Sequence, residues 1–255
     1  MTQIYKEIEA IQLTAHRGSS RDAPENTISA INLAIQDKAD YVEIDVQQTK
    51  DGRLVVLHDT NLQRVAGINQ QIWELDWEEV RQLDVGSWFN SKFAAERIPL
   101  LEAVIKIAKD KIKLNIELKF NGMNTELATE VVKLVGEQEF AAQCVISSAN
   151  YPALLKVKEL NPEIATGLIM PTALPKVAEF KVDFYSVRPA IATIDFINQA
   201  HVQGKQVHVW TINEITEMET FLSRQVDNII TDTPKTLRRL LPNRSRILAV
   251  HEDGA

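Results

Sequence analysis

The sequence predicts an α/β protein, a closed (β/α)8 TIM barrel with a small insertion after the second strand. Three observations lead to this fold class. Short apolar runs alternate along the chain with longer amphipathic stretches, several runs are rich in Val and Ile on both faces, and one segment interrupts the alternation. Runs that are apolar on both faces are typical of parallel strands covered on each side by helices. The length of 255 residues is ordinary for one such barrel.

Eight apolar runs are the candidate strands of the barrel. They span residues 11–15, 41–46, 113–118, 143–147, 164–170, 182–187, 206–211 and 228–231. Helical patterns are expected at 27–37, 100–109, 125–137, 151–160, 173–180, 190–204, 215–223 and 234–241. An open doubly wound sheet is the alternative architecture, but no GxGxxG or P-loop motif follows any of the runs, which disfavours it.

Helix-start chemistry supports three of these helices. Thr27, preceded by Asn26, opens an apolar-periodic run, and Asn213 stands directly before the helix predicted near 215. Asp232 and Thr233 offer a cap that is followed by an early proline. Short polar side chains at such positions accept the unpaired N–H groups of a first helical turn, so we expect helices to begin here.

The segment after the second strand departs from the alternation. Residues 50–53, Lys-Asp-Gly-Arg, are a turn signal, residues 54–57 predict a short extra strand, and no strand–helix unit follows from 61 to 99. We therefore expect a single domain over 1–255 with a cap-like insertion at about 59–99. Its aromatics either form the insertion's own core, which is the preferred interpretation, or cap the barrel mouth. They are Trp73, Trp77, Trp88, Phe89 and Phe93.

Composition limits the classes of function and partner. A formal net charge of −7 argues against general affinity for nucleic acid or anionic lipid surfaces. Cys144 is the single cysteine, and in its apolar run we expect a buried, inert thiol. The acidic N-terminus does not resemble a signal peptide, and no apolar run approaches the ~20 residues of a membrane-spanning helix. A cytoplasmic location is favoured, although the chain could be a soluble piece of a membrane-attached or exported protein.

Carboxylates concentrate near the ends of neighbouring candidate strands. Glu43 and Asp45 are two residues apart on the second run, so both point to the same face, and Glu117 and Lys119 repeat the pattern on the next run. Three inward carboxylates need a counter-charge, because burial and mutual repulsion both oppose their ionisation. Oxygen ligands favour Mg²⁺ or Ca²⁺ over zinc. The alternative is a buried salt-bridge network in which Glu43 or Glu117 pairs with Arg17 or Lys119.

Two of the five histidines lie beside these carboxylates. His16 ends the first run and His58 ends the short extra strand. Because imidazole can be neutral or charged near pH 7, such a pair can serve as base and acid on opposite sides of a reacting phosphorus. Arg17 and Lys119 add positive charge that suits a phosphate oxyanion. His208 is expected to fill the core.

These residues stand within a longer ordered pattern. His16-Arg17-Gly18, the run Ala-Pro-Glu-Asn-Thr at 23–27, Glu43-Ile44-Asp45 and His58-Asp59 resemble the signature of the glycerophosphodiester phosphodiesterase family. The similarity continues at 84–89, 97–102, 117–119, 209–213 and 227–234, so it covers nearly the whole chain in the right order. None of the motif positions departs from the family pattern.

The resemblance implies a barrel enzyme that hydrolyses a small-molecule glycerophosphodiester to glycerol 3-phosphate and an alcohol. It implies a metal held by Glu43, Asp45 and Glu117, and catalysis by His16 and His58. Substrate contacts are implied for Arg17, Lys119 and Trp210. Two alternatives remain open, a lysophospholipase D acting on lipid and a non-catalytic barrel that binds a phosphorylated ligand. The alcohol, the identity of the metal and the oligomeric state also remain open.

Overall fold

The computed structural model describes residues 11–121, 124–172 and 180–241, and its sheet is a closed barrel. Its strands are β1 (Gln12–His16), β2 (Tyr41–Gln48), β3 (Leu54–Val56), β4 (Lys113–Leu118), β5 (Cys144–Ser148), β6 (Ala165–Met170), β7 (Phe184–Val187), β8 (Gln206–Val209) and β9 (Asn228–Thr231). All except β3 pair in parallel in the order β1-β9-β8-β7-β6-β5-β4-β2, and β1 pairs with β2 to close the ring. The predicted (β/α)8 barrel is confirmed, and the open sheet is wrong.

Helices separate the strands and cover the outside of the ring. They are α1 (Ile28–Gln36), α2 (Gln63–Ala66), α3 (Trp77–Val80), α4 (Leu101–Ala108), α5 (Leu127–Glu137), α6 (Tyr151–Leu160), α7 (Ile194–Val202), α8 (Ile215–Ser223) and α9 (Pro234–Leu240). Short 3₁₀ turns lie at Ile72–Glu74, Ser91–Phe93 and Ala141–Gln143. The helix predicted at 173–180 falls, except for its last residue, outside the described residues.

Helix caps follow the sequence prediction in part. Thr27 caps α1 by accepting from the N–H of Ala30, as expected. Asn213 and Asp232 cap nothing, because they bond each other at 2.6 Å and other groups at the barrel mouth. The helix predicted from residue 190 begins at 194, since Thr193 accepts from the N–H of Phe196 and caps α7 there.

The barrel has a polar inner layer and an apolar outer layer, as strand alternation requires. Along β2, Val42, Ile44 and Val46 are fully buried beneath the helices, while Glu43 and Asp45 share the opposite face. Cys144 is buried in the same core, and burial raises the pKa of its thiol to about 12, which confirms the expected inert cysteine. The inward positions therefore hold the groups that reach the cavity.

The insertion carries a hydrophobic cluster of its own. Its buried members are Val55, Leu57, Leu62, Val65, Ile72, Leu75, Val80, Val85 and Ile98. Trp73 and Trp77 pack against this cluster, as the preferred interpretation holds. The interpretation is wrong for Trp88, Phe89 and Phe93, which form edge-to-face pairs with centroids 5.8 and 5.7 Å apart and leave Trp88 43% exposed.

Three aspartates repeat one contact at the amino-terminal end of the barrel. Asp40, Asp183 and Asp227 each stand directly before a strand. Their carboxylates accept backbone N–H groups of the neighbouring strand at 2.9, 2.7 and 2.7 Å. The same carboxylates pair with Arg238, Lys158 and His201 respectively. Each contact joins two parallel strands at the end of a barrel that is associated with stability rather than catalysis.

Candidate active site

A cavity of about 340 Å³ lies inside the carboxyl ends of the strands. It is lined by His16, Arg17, Glu43, His58, Asn115, Glu117, Lys119, Ser147, Ile169, Ser186, Arg188, Trp210 and Ile230. Every residue that the sequence proposed for the site lines this cavity except Asp45, which is 1% exposed and pairs with Arg17 and Lys119 from the layer behind. Barrel enzymes carry their catalytic groups at this end.

Three carboxylates form the acidic part of the site. Glu43, Asp45 and Glu117 each offer an oxygen, and these oxygens lie within 4.8 Å of one another. The strand register explains their proximity, since Asp45 pairs with Glu117 across β2 and β4. Asn26 fixes the orientation of Asp45 by donating from its amide to Oδ2 at 2.8 Å.

Two cations lie among these carboxylates. Lys119 Nζ lies 2.6 Å from Glu117 and 3.1 Å from Asp45, and Arg17 Nε lies 3.4 Å from Asp45. The contacts of the predicted salt-bridge alternative are therefore present. They do not neutralise the site, because three carboxylates face two cations and Arg17 is shared with Glu25 at 2.8 Å.

The pKa values show where this negative charge is poorly compensated. Burial, followed by the charge of Asp45, raises the pKa of Glu43 to about 8 and raises that of Glu117 above its ordinary value. Burial acts in the same direction on Asp45, but Lys119 and Arg17 outweigh it, and the pKa of Asp45 falls. A cluster of oxygen donors with surplus negative charge fits a hard divalent cation.

The turn after β1 brings Arg17 into the site. Arg17 has a left-handed backbone (φ 55°) and its N–H donates to Glu43 Oε2 at 3.0 Å. Gly18 follows at φ 85°, where a Cβ would lie 2.6 Å from Ala30. A side chain at Gly18 would thus be strained by its backbone and would collide with α1. The geometry of this turn therefore requires glycine at the third position of the His-Arg-Gly sequence.

His16 is held by a residue from the far end of the chain. Its Nδ1 lies 2.7 Å from Asp232 Oδ1, and Asp232 also accepts from Ser20 and Asn213. Burial lowers the pKa of His16, but Asp232 and the charge of Glu43 raise it, and the net shift is upward. With Nδ1 engaged, Nε2 is the ring nitrogen that can exchange a proton with a ligand.

His58 is held in the same manner by the insertion. Its Nδ1 lies 2.6 Å from Asp59, whose other oxygen accepts from Arg64 Nε at 2.6 Å. Burial lowers the pKa of His58, and the charges of Arg17 and Lys119 lower it further, so that it lies below its ordinary value. The two histidines therefore share one arrangement and have opposite pKa shifts.

Glu25 connects the two histidine-bearing segments. Its carboxylate accepts from Arg17 in the β1 turn at 2.8 Å and from both terminal nitrogens of Arg64 in the insertion at 2.7 and 2.8 Å. Arg64 also holds Asp59 and lies 5.6 Å over the ring of Trp88. This ion-pair network links the insertion, which holds Asp59 and Arg64, to the β1 turn at the barrel mouth.

Several residues of the site were absent from the sequence prediction. They are Glu25, Asn26, Asp59, Arg64, Arg188 and Asp232. Glu25 and Asn26 lie in the Ala-Pro-Glu-Asn-Thr run at 23–27, which carries part of the family resemblance. Asp232 was interpreted as a helix cap. Its role in the site could have been predicted from the closed barrel, in which the last strand lies beside β1. Nothing local in the sequence distinguishes Arg64 or Arg188 from other surface arginines.

His208 takes the core role expected of it. Its ring stacks on Phe184 with centroids 4.0 Å apart and is 3% exposed. Burial lowers its pKa to about 3. His208 is therefore neutral and does not join the cavity-lining pair.

The fold and the site together define a barrel hydrolase built to bind a phosphate ester, with acidic, basic and imidazole groups at one mouth. The model of the glycerophosphoryl diester phosphodiesterase family matches residues 16–236, and the chain belongs to this family. It is accordingly an enzyme, a phosphoric diester hydrolase. Among the described residues, no helix is long and apolar enough to cross a membrane.

Relatives and solved structures agree with this family. The chain is 36% identical over 233 residues to a glycerophosphodiester phosphodiesterase of Caldanaerobacter subterraneus, covering 89% of this chain and 96% of the relative. It also resembles an Oleispira antarctica phosphodiesterase solved with the product sn-glycerol-3-phosphate. That match has 30% identity, a TM-score of 0.84, and covers 89% and 95% of the two chains. An enzyme from Parabacteroides distasonis matches at 26% identity with a TM-score of 0.81, over 94% and 99%.

Proposed function

We propose that the protein hydrolyses glycerophosphodiesters to glycerol 3-phosphate and an alcohol, using a divalent cation and two histidines. The observation that carries the proposal is the convergence of two carboxylate-held imidazoles, His16 and His58, on one cavity with the acidic cluster. Family membership supports the reaction class, and relatives named for this activity support the substrate class.

Glu43, Asp45 and Glu117 would hold the cation, Mg²⁺ or Ca²⁺. When bound, the ion supplies charge stabilisation to the phosphate oxygens. Arg17 and Lys119 line the same cavity and orient the phosphate as additional positive charges. Trp210 also lines the cavity, and its buried Nε1 lacks a hydrogen-bond partner among the described residues, which suits a contact with substrate.

The two histidines divide the proton transfers. One imidazole accepts the proton of the attacking hydroxyl through Nε2, and the other, protonated, gives a proton to the departing alcohol oxygen. Asp232 and Asp59 hold the Nδ1–H side of each ring, so each imidazole presents the same nitrogen throughout the reaction. The P–O bond to the alcohol breaks as the P–O bond to the attacking oxygen forms. If that oxygen is water's, glycerol 3-phosphate forms directly, and if it is the glycerol's own hydroxyl, water then opens the cyclic phosphate to give glycerol 3-phosphate.

The proposal is tested with purified, chelator-treated protein and glycerophosphoglycerol, with enzymatic detection of glycerol 3-phosphate. We expect product when Mg²⁺ or Ca²⁺ is restored and none in chelator alone. Equal product with and without metal would contradict the metal site and favour the salt-bridge alternative. No product with either metal would contradict the proposed substrate class.

A lysophospholipid is the second candidate substrate. Phe89 lines a recess that it shares with His16 and Arg17, and Trp88 beside it is 43% exposed. This aromatic ledge, formed by Trp88, Phe89 and Phe93, could contact an acyl chain at the mouth. Lysophosphatidylcholine in place of glycerophosphoglycerol, with lysophosphatidic acid measured as the product, separates the two, because only a lysophospholipase D releases lysophosphatidic acid.

A further inference from the structure

Arg188 stands at the end of β7, the strand across the ring from β2 with its Glu43 and Asp45, and it has no role in the proposed reaction. It follows β7 directly, lines the same cavity as His16 and His58, and is exposed. Its guanidinium lies 5.4 Å from the ring centroid of Trp210, within the range of a cation–π contact. Among the residues that the structure describes, no carboxylate pairs with it.

The other cavity cations are already matched by acids. Arg17 contacts Glu25 at 2.8 Å and Asp45 at 3.4 Å. Lys119 contacts Glu117 at 2.6 Å and Asp45 at 3.1 Å. Within the described lining, Arg188 thus contributes a positive charge that no carboxylate of the protein balances. It is also separate from Arg17 and Lys119, the cations assigned to the reacting phosphate.

The contact with Trp210 also affects cationic leaving groups. A quaternary ammonium such as choline binds best over open aromatic faces. Here the guanidinium of Arg188 lies over the ring of Trp210, and this face of the ring is therefore already occupied by a cation. A choline or ethanolamine group placed beside it would be repelled, whereas an anion would be attracted.

We propose that Arg188 is a specificity-determining residue that binds an anionic group on the leaving alcohol. On this basis the preferred substrates are glycerophosphodiesters whose alcohol carries a second negative charge, such as a phosphate monoester on a polyol. The inference rests on the proposed hydrolysis, and it assigns Arg188 to the leaving group rather than to the scissile phosphate. Arg188 acts through fixed positive charge and hydrogen-bond donation.

The test uses a matched pair of substrates, glycerophosphoinositol and glycerophosphoinositol 4-phosphate, which differ by one phosphate monoester. The measured quantity is the ratio of their kcat/KM values, with glycerol 3-phosphate detected in both cases. We expect the wild-type protein to prefer the phosphorylated substrate by roughly tenfold, the scale of one hydrogen-bonded charge pair. Raising the ionic strength should reduce the ratio.

Arg188→Gln is expected to bring the ratio close to one, and Arg188→Lys to retain part of the preference. Arg239→Gln is the matched control, because Arg239 is an exposed arginine in the last turn of α9, away from the mouth, and its ratio should equal that of the wild type. Circular dichroism checks that each variant is folded, and the salt dependence of the wild type provides a test that needs no variant.

Three results would overturn the inference. A wild-type ratio near one would show that the second charge is not recognised. An equal loss on both substrates in Arg188→Gln would place Arg188 at the scissile phosphate. Failure of the wild type to hydrolyse either substrate, with metal present, would overturn the inference, and the glycerophosphoglycerol assay would show separately whether the proposed function fails as well.

Discussion

At the amino-terminal end of the barrel, three aspartates each accept one backbone N–H and pair with one basic side chain. At the carboxyl end, three acids lie within 4.8 Å of one another. The first arrangement satisfies each carboxylate separately. The second leaves charge uncompensated, and the pKa values of Glu43 and Glu117 rise. The same residue types therefore join strands at one end and form a candidate ligand site at the other, and the difference lies in how their charges are balanced.

The largest expected effect concerns the histidines at the two ends. His16 and His201 are both held by an aspartate, at 2.7 and 2.8 Å, but only His16 lines the cavity. Replacing His16 or His58 by Ala should lower kcat by roughly 10²–10⁴-fold with folding retained, the usual scale for general acid–base groups. His201→Ala should leave kcat within about twofold, since it lies outside the cavity. Steady-state assays with circular dichroism measure both, and comparable losses in all three variants would contradict the comparison.

A second prediction concerns Glu43→Gln. Loss of one carboxylate charge should raise the metal concentration for half-maximal activity by at least about tenfold. This is the lower end of the affinity loss usually seen when a group around a bound metal is changed. An unchanged requirement would contradict the ligand role. A metal titration of activity, run beside Asp227→Asn as the matched change at the other end, measures this effect.

In the metal-free protein, Glu43→Gln should also change how the free energy of unfolding depends on pH. Because the folded-state pKa of Glu43 is raised to about 8, the folded wild type binds a proton that the unfolded chain releases near its ordinary value. Wild-type stability should therefore fall relative to the variant as pH rises from about 4.5, and the difference should level off above the raised pKa. Denaturant unfolding in chelator at several pH values measures it. A difference that is constant with pH would contradict the raised pKa.

The smallest effect is expected for Asp183→Asn at the amino-terminal end. Burial raises the pKa of Asp183, but Lys158 and Thr166 outweigh it and the net shift is downward. A lowered pKa stabilises the fold above the unfolded value and loses this effect as pH falls through the folded value. We expect the variant to melt roughly 1–3 °C lower near pH 7, with the difference shrinking progressively as the pH falls below about 4 and with kcat unchanged. Thermal scans at both pH values check it.

Strand periodicity was sufficient to predict the acidic cluster. Two-residue spacing places Glu43 and Asp45 on one face, and alternation identified the eight strands and the insertion. The contact of His16 with Asp232 was not predictable locally, because the two residues are 216 positions apart and meet only when β1 pairs with β9. Arg64 and Arg188 were missed because their roles depend on where the insertion and the strand ends lie in space.

The separate hydrophobic cluster of the insertion has a consequence for heat tolerance. His58 belongs to a segment whose nine-residue core is distinct from that of the barrel, and ion pairs through Glu25 hold it in position. Segments with independent cores can open before the rest of a protein unfolds. The temperature at which activity ceases should therefore be set by the insertion, and selection for work at higher temperature would act first on this segment.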